Sequence, residues 1–188
     1  MLSQKKGIEL RYVPVEDGEL DMDALDVALD GAKLVCVVHT SNVLGIRNPV
    51  EQIISKSHKI GAKVLLDAAQ AVPHEVIDFQ ALGADFMAFS AHKMCGPTGI
   101  GALLVSDEAF AEMQPFMGGG DMIETVTLKG STYQSNEHKF EAGTPRIAEG
   151  FGWAAALEWM EDIDLEFHHG RLLKIANKVS TELQNRGI

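Results

Sequence analysis

Phe86-Met87-Ala88-Phe89-Ser90-Ala91-His92-Lys93-Met94-Cys95-Gly96-Pro97-Thr98-Gly99-Ile100-Gly101 decides the fold of this chain. The apolar run Phe86 to Phe89 reads as a buried strand. It delivers a hydroxyl, an imidazole and an amine within four residues, and a turn rich in glycine and proline follows. A lysine at the end of a buried strand suits a partly desolvated amine, whose pKa falls and whose nucleophilicity rises. That is the chemistry of a Schiff-base lysine.

Upstream, Lys63-Val64-Leu65-Leu66-Asp67-Ala68-Ala69-Gln70 is a second short apolar strand, ending in a carboxylate. Between Asp67 and Lys93 lie a turn at Pro73 and His74, a short amphipathic stretch (Ile77, Phe79, Leu82) and Gly83. This is a strand–helix–strand unit. In a parallel sheet it puts Asp67 and Lys93 at one carboxyl edge, where α/β proteins bind ligands. Pyridoxal phosphate needs such a pair: an amine for its aldehyde and a carboxylate to keep its pyridine nitrogen protonated. Ser90 and His92 alternate at the strand end and suit its phosphate. A third strand, Leu34 to Val38, runs into His39-Thr40-Ser41-Asn42-Val43-Leu44-Gly45. Asn42 reads there either as a turn residue before Gly45 or as a hydrogen-bonding partner of the cofactor ring.

Six segments in order carry a family resemblance: Ser41-Asn42-Val43-Leu44-Gly45, Asp67-Ala68-Ala69-Gln70, Ser90-Ala91-His92-Lys93, Cys95 to Gly101, Gly118-Gly119-Gly120, and Phe140-Glu141-Ala142-Gly143-Thr144-Pro145. The set resembles the group II cysteine desulfurases of the SUF system, in the class V aminotransferase superfamily of fold-type I pyridoxal phosphate enzymes. His92-Lys93-Met94-Cys95-Gly96-Pro97 is similar to plastid and cyanobacterial members.

The resemblance implies an α/β large domain with a mainly parallel sheet flanked by helices, over residues 1–162. Residues 163–188 would begin a C-terminal small domain. Lys93 would be the Schiff-base lysine and the proton shuttle at the substrate α-carbon. Asp67 would pair with the pyridine nitrogen, Gln70 would contact the ring hydroxyl oxygen, and Asn42 would lie near the same ring edge. Ser90 and His92 would bind the phosphate. Thr144 would reach the cofactor of a neighbouring subunit, which implies a homodimer. The family reaction takes L-cysteine to L-alanine and leaves a persulfide on a mobile cysteine. The sulfur passes to an acceptor protein and on to iron–sulfur cluster assembly. The implied setting is the bacterial cytoplasm or the plastid stroma.

Against the family pattern, the nucleophilic cysteine, the arginine clamp for the substrate carboxylate, the ring-stacking histidine and a second phosphate-binding threonine have no counterpart here. The chain resembles the middle half of such an enzyme, and its opening, Met1 to Gly7, resembles an internal segment of the large domain. A selenocysteine lyase, or another class V lyase or aminotransferase, would share these core motifs. A catalytically inert fragment or a dimerisation module is the reading from another class.

Composition bounds the rest. The 188 residues carry a formal net charge of −11 and 46% hydrophobic residues. That is enough for a core, and there is no basic stripe to neutralise nucleic-acid phosphates. No stretch approaches the roughly 18 uninterrupted apolar residues of a membrane span. Of the two cysteines, Cys36 reads as a core residue. Cys95, fixed two residues after Lys93, does not suit a mobile sulfur carrier. Cysteines without metal-ligand spacing fit a reducing compartment, and the adjacent His168 and His169 diverge on a helix and make no metal site.

Gly150-Phe151-Gly152-Trp153-Ala154-Ala155 matches the loose dinucleotide pattern, yet a loop rather than a strand precedes it. It reads as small residues packing a helix. Gly96 to Gly101 lacks the lysine and hydroxyl of a P-loop and reads as a tight turn. Gly118 to Gly120 reads as a flexible joint. Lys139 stands where the family commonly has arginine, keeping the charge without the planar fork. Asp21 caps a short helix from Met22, Val50 to Ile60 reads as the crossover helix before the Asp67 strand, and Leu172 to Arg186 reads as a terminal helix.

Overall fold

The computed structural model describes residues 7–187; Met1 to Lys6, which the resemblance placed inside a longer large domain, lie outside the described residues. Of the described residues, 7–89, 103–106 and 164–187 form one compact unit, and residues 90–102 and 107–163 a second.

The first unit is built on a four-stranded sheet. Strands β1 (Val15–Glu16) and β2 (Glu19–Leu20) make a small antiparallel hairpin. Its turn holds Asp17 at φ 51° and Gly18 at φ 89°, the left-handed pair that a two-residue hairpin requires. Helix α1 (Met22–Ala28) follows, capped by Asp21, whose side chain accepts the Asp23 and Ala24 N–H groups at 3.0 and 2.9 Å. Strand β3 (Leu34–Val38), helix α2 (Val50–Lys59), strand β4 (Lys63–Asp67), helix α3 (Phe79–Leu82), strand β5 (Phe86–Ser90) and strand β6 (Gly101–Val105) come next. The sheet order is β3-β4-β5-β6. The pairs β3–β4 and β4–β5 are parallel. Ser106 N–H donates to Asp85 C=O at 2.9 Å and Ala91 N–H to Ile100 C=O at 3.1 Å, so β6 returns antiparallel to β5.

Helix α2 crosses over because its apolar residues fall on one face. Val50 and Ile54 pack with Val64, Leu66 and Met87 of the strands. Ile53 joins Leu25 of α1 and Leu29, the residue that ends it, over Val35 and Val37. Helix α3 is a single turn. The Asp78 carboxylate accepts Ala81 N–H at 2.9 Å, and Gly83 ends the helix at φ 73°. Helix α6 (Leu165–Asn185) also belongs to this unit, capped by Asp164 at 2.9 Å from Phe167 N–H. Its apolar residues Leu172, Ile175, Val179 and Leu183 are exposed.

Cys36 is not a core residue. Alternation along β3 turns Val35 and Val37 under the helices and leaves Leu34, Cys36 and Val38 on the exposed face. Desolvation on that strand surface still pushes its thiol pKa up.

The second unit opens at Ser90. It contains a 3-10 turn (Ala91–Lys93), helix α4 (Asp107–Glu112), the hairpin β7 (Ile123–Thr127) and β8 (Gly130–Tyr133), a second 3-10 turn (Glu137–Phe140) and helix α5 (Ile147–Glu161). Gly150 and Gly152 lie inside α5, with helix rather than a phosphate-cradling loop around them. The run Gly118 to Gly120 is more than a joint. A Cβ on Gly119 would sit 3.0 Å from that of Ala142 and 3.2 Å from the Ala142 backbone, and Gly120 C=O accepts Gly143 N–H at 2.9 Å. Glycine is there for close approach.

Candidate functional site

Register lines up the strand ends. Val38 pairs with Asp67 and Asp67 with Ala88, and the chain leaves β5 two residues later at Ser90. The candidate residues Asn42, Asp67 and Gln70 belong to the first unit, and Ser90, His92, Lys93 and Thr144 to the second.

In the first unit, the backbone N–H of His39 extends the β3–β4 ladder by donating to Asp67 C=O at 2.8 Å. The loop that follows is pinned at its neck by the antiparallel bridge of Thr40 with Arg47 and by Ser41 N–H to Ile46 C=O at 2.9 Å. Ser41 Oγ accepts Leu44 N–H at 3.1 Å and Val43 N–H at 3.3 Å, and Gly45 takes φ 68°. Asn42 is exposed at the tip of this loop. Asn48 Nδ2 ties the loop's exit to Val38 C=O at 2.7 Å. Asp67 is exposed at the end of β4, with Oδ1 accepting Ala69 N–H at 3.0 Å. That bond fixes the carboxylate over its own turn. Gln70 is half-buried in the turn whose Ala71 and Val72 N–H groups return to Ala68 C=O.

Below this loop lies His39, which is 1% exposed. Its Nδ1 is 3.1 Å from Thr40 Oγ1 and 3.5 Å from Glu75 Oε1. Glu75 Oε2 faces Arg47 Nη1 at 3.9 Å, and Arg47 Nη2 reaches Glu51 Oε1 at 2.6 Å. Burial pushes the imidazole below its ordinary pKa; the Glu75 carboxylate pulls the other way without reversing it.

In the second unit, fully buried Ala91 anchors the turn. Its C=O accepts both Met94 N–H at 2.8 Å and Gly96 N–H at 2.9 Å. Strand alternation therefore ends at Ser90, and His92 stands on a 3-10 turn rather than on the strand. Ser90 is half-buried, and its hydroxyl does not cap that turn. His92 and Lys93 are exposed. The desolvation expected of Lys93 is not supplied by the described residues, because the turn carries it past the strand end. Cys95 is exposed at φ 57°, and the loop closes against α5, with Gly96 facing Trp153 and Gly99 (φ +82°) facing the Arg146 guanidinium. Thr144 is exposed in the segment between Gly143, at φ 86°, and α5. Lys139 lies 3.8 Å from the Phe110 ring centroid and donates to Phe110 C=O at 2.9 Å.

His39 and Glu75 were not among the sequence candidates. Strand parity was the available signal: His39 continues the inward series Val35, Val37. The β1–β2 hairpin was missed in the same way, and the Asp17-Gly18 pair was its signal.

The aminotransferase class V family model matches residues 1–188. A probable cysteine desulfurase of Streptomyces coelicolor is 47% identical over 168 residues, covering 88% of this chain and 40% of that protein. Among solved structures, the apo cysteine desulfurase of Thermococcus onnurineus superposes with a TM-score of 0.90 at 38% identity, covering 97% of this chain and 47% of that one. The cysteine desulfurase CsdA of Escherichia coli gives 0.81 at 36%, covering 88% and 42%. The chain belongs to the class V aminotransferase family, a family of pyridoxal phosphate-dependent transferases, and carries the α/β architecture of fold-type I enzymes. It spans less than half the length of these relatives.

The residues present fit that cofactor. Asp67 is an exposed carboxylate with one backbone bond on Oδ1, Ser90 a hydroxyl not spent on capping, and Lys93 an exposed amine. These are the donor and acceptor types that a pyridine nitrogen, a phosphate and an aldehyde call for.

Proposed function

We propose that this chain is the cofactor-binding part of a SUF-type cysteine desulfurase. The whole enzyme converts L-cysteine to L-alanine, with sulfur carried as a persulfide on a cysteine other than Cys36 or Cys95. It hands that sulfur to an acceptor protein for iron–sulfur cluster assembly in the bacterial cytoplasm or plastid stroma. Residues 1–162 are part of the large domain and residues 163–188 the start of the small one. The observation that carries the reading is the register Val38–Asp67–Ala88, which sets the Asn42 loop, Asp67 and the exit of β5 at one sheet edge. The naming of close relatives as cysteine desulfurases supports the substrate.

In this reading Asp67 holds the protonated pyridine nitrogen, Gln70 and Asn42 orient the ring, and Ser90 and His92 hold the phosphate. When bound, the cofactor is an electron sink for the pair left at the substrate α-carbon. Lys93 Nζ holds the cofactor aldehyde at rest and moves the proton at the substrate α-carbon during turnover. Thr144 adds a phosphate contact across a homodimer.

Borohydride reduction of the protein with pyridoxal phosphate, followed by peptide mapping, tests the cradle. The expected result is a pyridoxyl label confined to Lys93. A folded sample labelled across its surface lysines would overturn the reading. In the full-length enzyme, Lys93→Ala is expected to abolish alanine release from cysteine.

A further inference from the structure

We propose that His39 is a positioning residue, a buried latch that holds the Asn42 loop in register with the turn carrying Gln70. The proposal rests on the functional reading only where it makes Asn42 and Gln70 cofactor contacts; the latch itself is a property of the fold.

The geometry singles out Glu75 as the meeting point. It lies just past the Gln70 turn, its own N–H held by Ala71 C=O at 3.0 Å. Both ends of the Asn42 loop reach it. At the entry, His39 Nδ1 stands 3.5 Å from Oε1; at the exit, Arg47 Nη1 stands 3.9 Å from Oε2. The two contacts differ in worth. The Arg47 side chain is 52% exposed, so its pairing is screened and contributes little. His39 is buried, so its contact with Glu75 is shielded from water in a way the Arg47 contact is not. The carboxylate beside Nδ1 only accepts, so it favours the tautomer with the proton on Nδ1. Nδ1 also stands 3.1 Å from the hydroxyl of Thr40, the first residue of the loop neck.

His39 also continues the sheet through its backbone. Its N–H is bonded to Asp67 C=O and its C=O accepts Asn48 N–H at 2.9 Å. The imidazole is thus fixed to the strand end that carries Asp67, while its Nδ1 reaches the element that carries Gln70. One side chain references both loops to the sheet edge.

The test is amide hydrogen exchange on the protein, read segment by segment. His39→Leu removes the Nδ1 donor. His39→Asn places an amide near the position of Nδ1. Glu75→Ala breaks the latch from its half-exposed side and keeps the proposal testable should the Leu variant fail to fold. Exchange over residues 40–47 and 70–75 is expected to rise about tenfold in His39→Leu and Glu75→Ala, stay near wild type in His39→Asn, and remain unchanged over Lys63–Asp67 in all three. Unaltered loop exchange, or acceleration across the whole sheet, would overturn the latch. Pyridoxal phosphate affinity is expected to fall about tenfold in the Leu variant and return in the Asn variant, in step with loop exchange. Looser loops with unchanged affinity would remove the positioning role. Wild-type protein that takes up no pyridoxal phosphate would overturn the functional reading, and the exchange comparison would still decide the latch.

Discussion

His58, in the last turn of α2, donates from Nε2 to Asp85 Oδ2 over 2.8 Å, and the same oxygen accepts the backbone N–H of Val64 at 2.7 Å. One carboxylate at the foot of β5 thereby fixes the crossover helix and the start of β4. Its side chain is only 13% exposed. Asp85→Ala is expected to cost about 2–3 kcal/mol, since it strands a backbone donor and frees the helix end. Asp85→Asn keeps an acceptor for Val64 and is expected to cost about half as much. His58→Ala, at a side chain 42% exposed, stays below about 1 kcal/mol. Urea midpoints of the three variants check the order.

The buried imidazole of His39 makes stability pH-dependent. Its folded pKa lies below the unfolded value, chiefly through burial. The folded state therefore prefers the neutral ring. Its contribution is fully present above the ordinary histidine pKa of about 6.5 and is lost as pH falls from there toward the lowered folded value. Among the described residues, Glu75, Arg47 and Glu51 act on its charge and Thr40 Oγ1 lies 3.1 Å from Nδ1. Between about pH 7.5 and pH 5.5 the wild-type urea midpoint is expected to fall further than that of His39→Asn, which carries no proton to gain. Equal slopes would remove His39 from the acid sensitivity.

The loop behind Lys93 separates two glycines that look alike in sequence. A Cβ on Gly96 would lie 2.9 Å from Trp153 Cδ1 and 3.0 Å from Ala91 O. The carbonyl cannot retreat, because it holds the Met94 and Gly96 N–H groups. Gly96→Ala is expected to cost about 2–3 kcal/mol by overpacking. At Gly99 the near atom is the tip of the Arg146 guanidinium at 3.2 Å, which can swing away, and the cost is the left-handed backbone at φ +82°. Gly99→Ala is expected to cost about 1 kcal/mol. Thermal melts of both variants check the ranking.

Local rules made the sheet legible. Short apolar runs ending in polar residues gave β3, β4 and β5, Asp21 gave the start of α1, and Val50 to Ile60 gave α2 within a residue. Burial was less legible, because it depends on which face is covered. Cys36 sits within an apolar run yet on the open face of β3, and Lys93 is carried past its strand by a three-residue turn. His39 shows the converse. A polar residue after an apolar strand read as loop, while strand parity and a carboxylate 36 residues away keep it inside. Pairings that distant leave no periodic trace in the sequence.

Lys139 illustrates the same point in the second unit. As a substitute for arginine it keeps the charge without the planar fork, which weakens any bidentate contact there. In the fold its Nζ donates to Phe110 C=O at 2.9 Å and lies 3.8 Å from the Phe110 centroid and 4.9 Å from that of Phe140. The two rings meet edge to face at 5.6 Å. This amine fastens the 3-10 turn Glu137–Phe140 to α4. Lys139→Met keeps the apolar stem and loses the charge, the hydrogen bond and both cation–ring contacts. It is expected to cost about 1–2 kcal/mol. Lys139→Arg retains the charge and the ring stacking and is expected to recover more than half of that. A urea midpoint in the Met variant equal to wild type would show that the contact is exchanged for water at no loss. A fall in Met with recovery in Arg would place the cation, rather than the stem, at the centre of the joint.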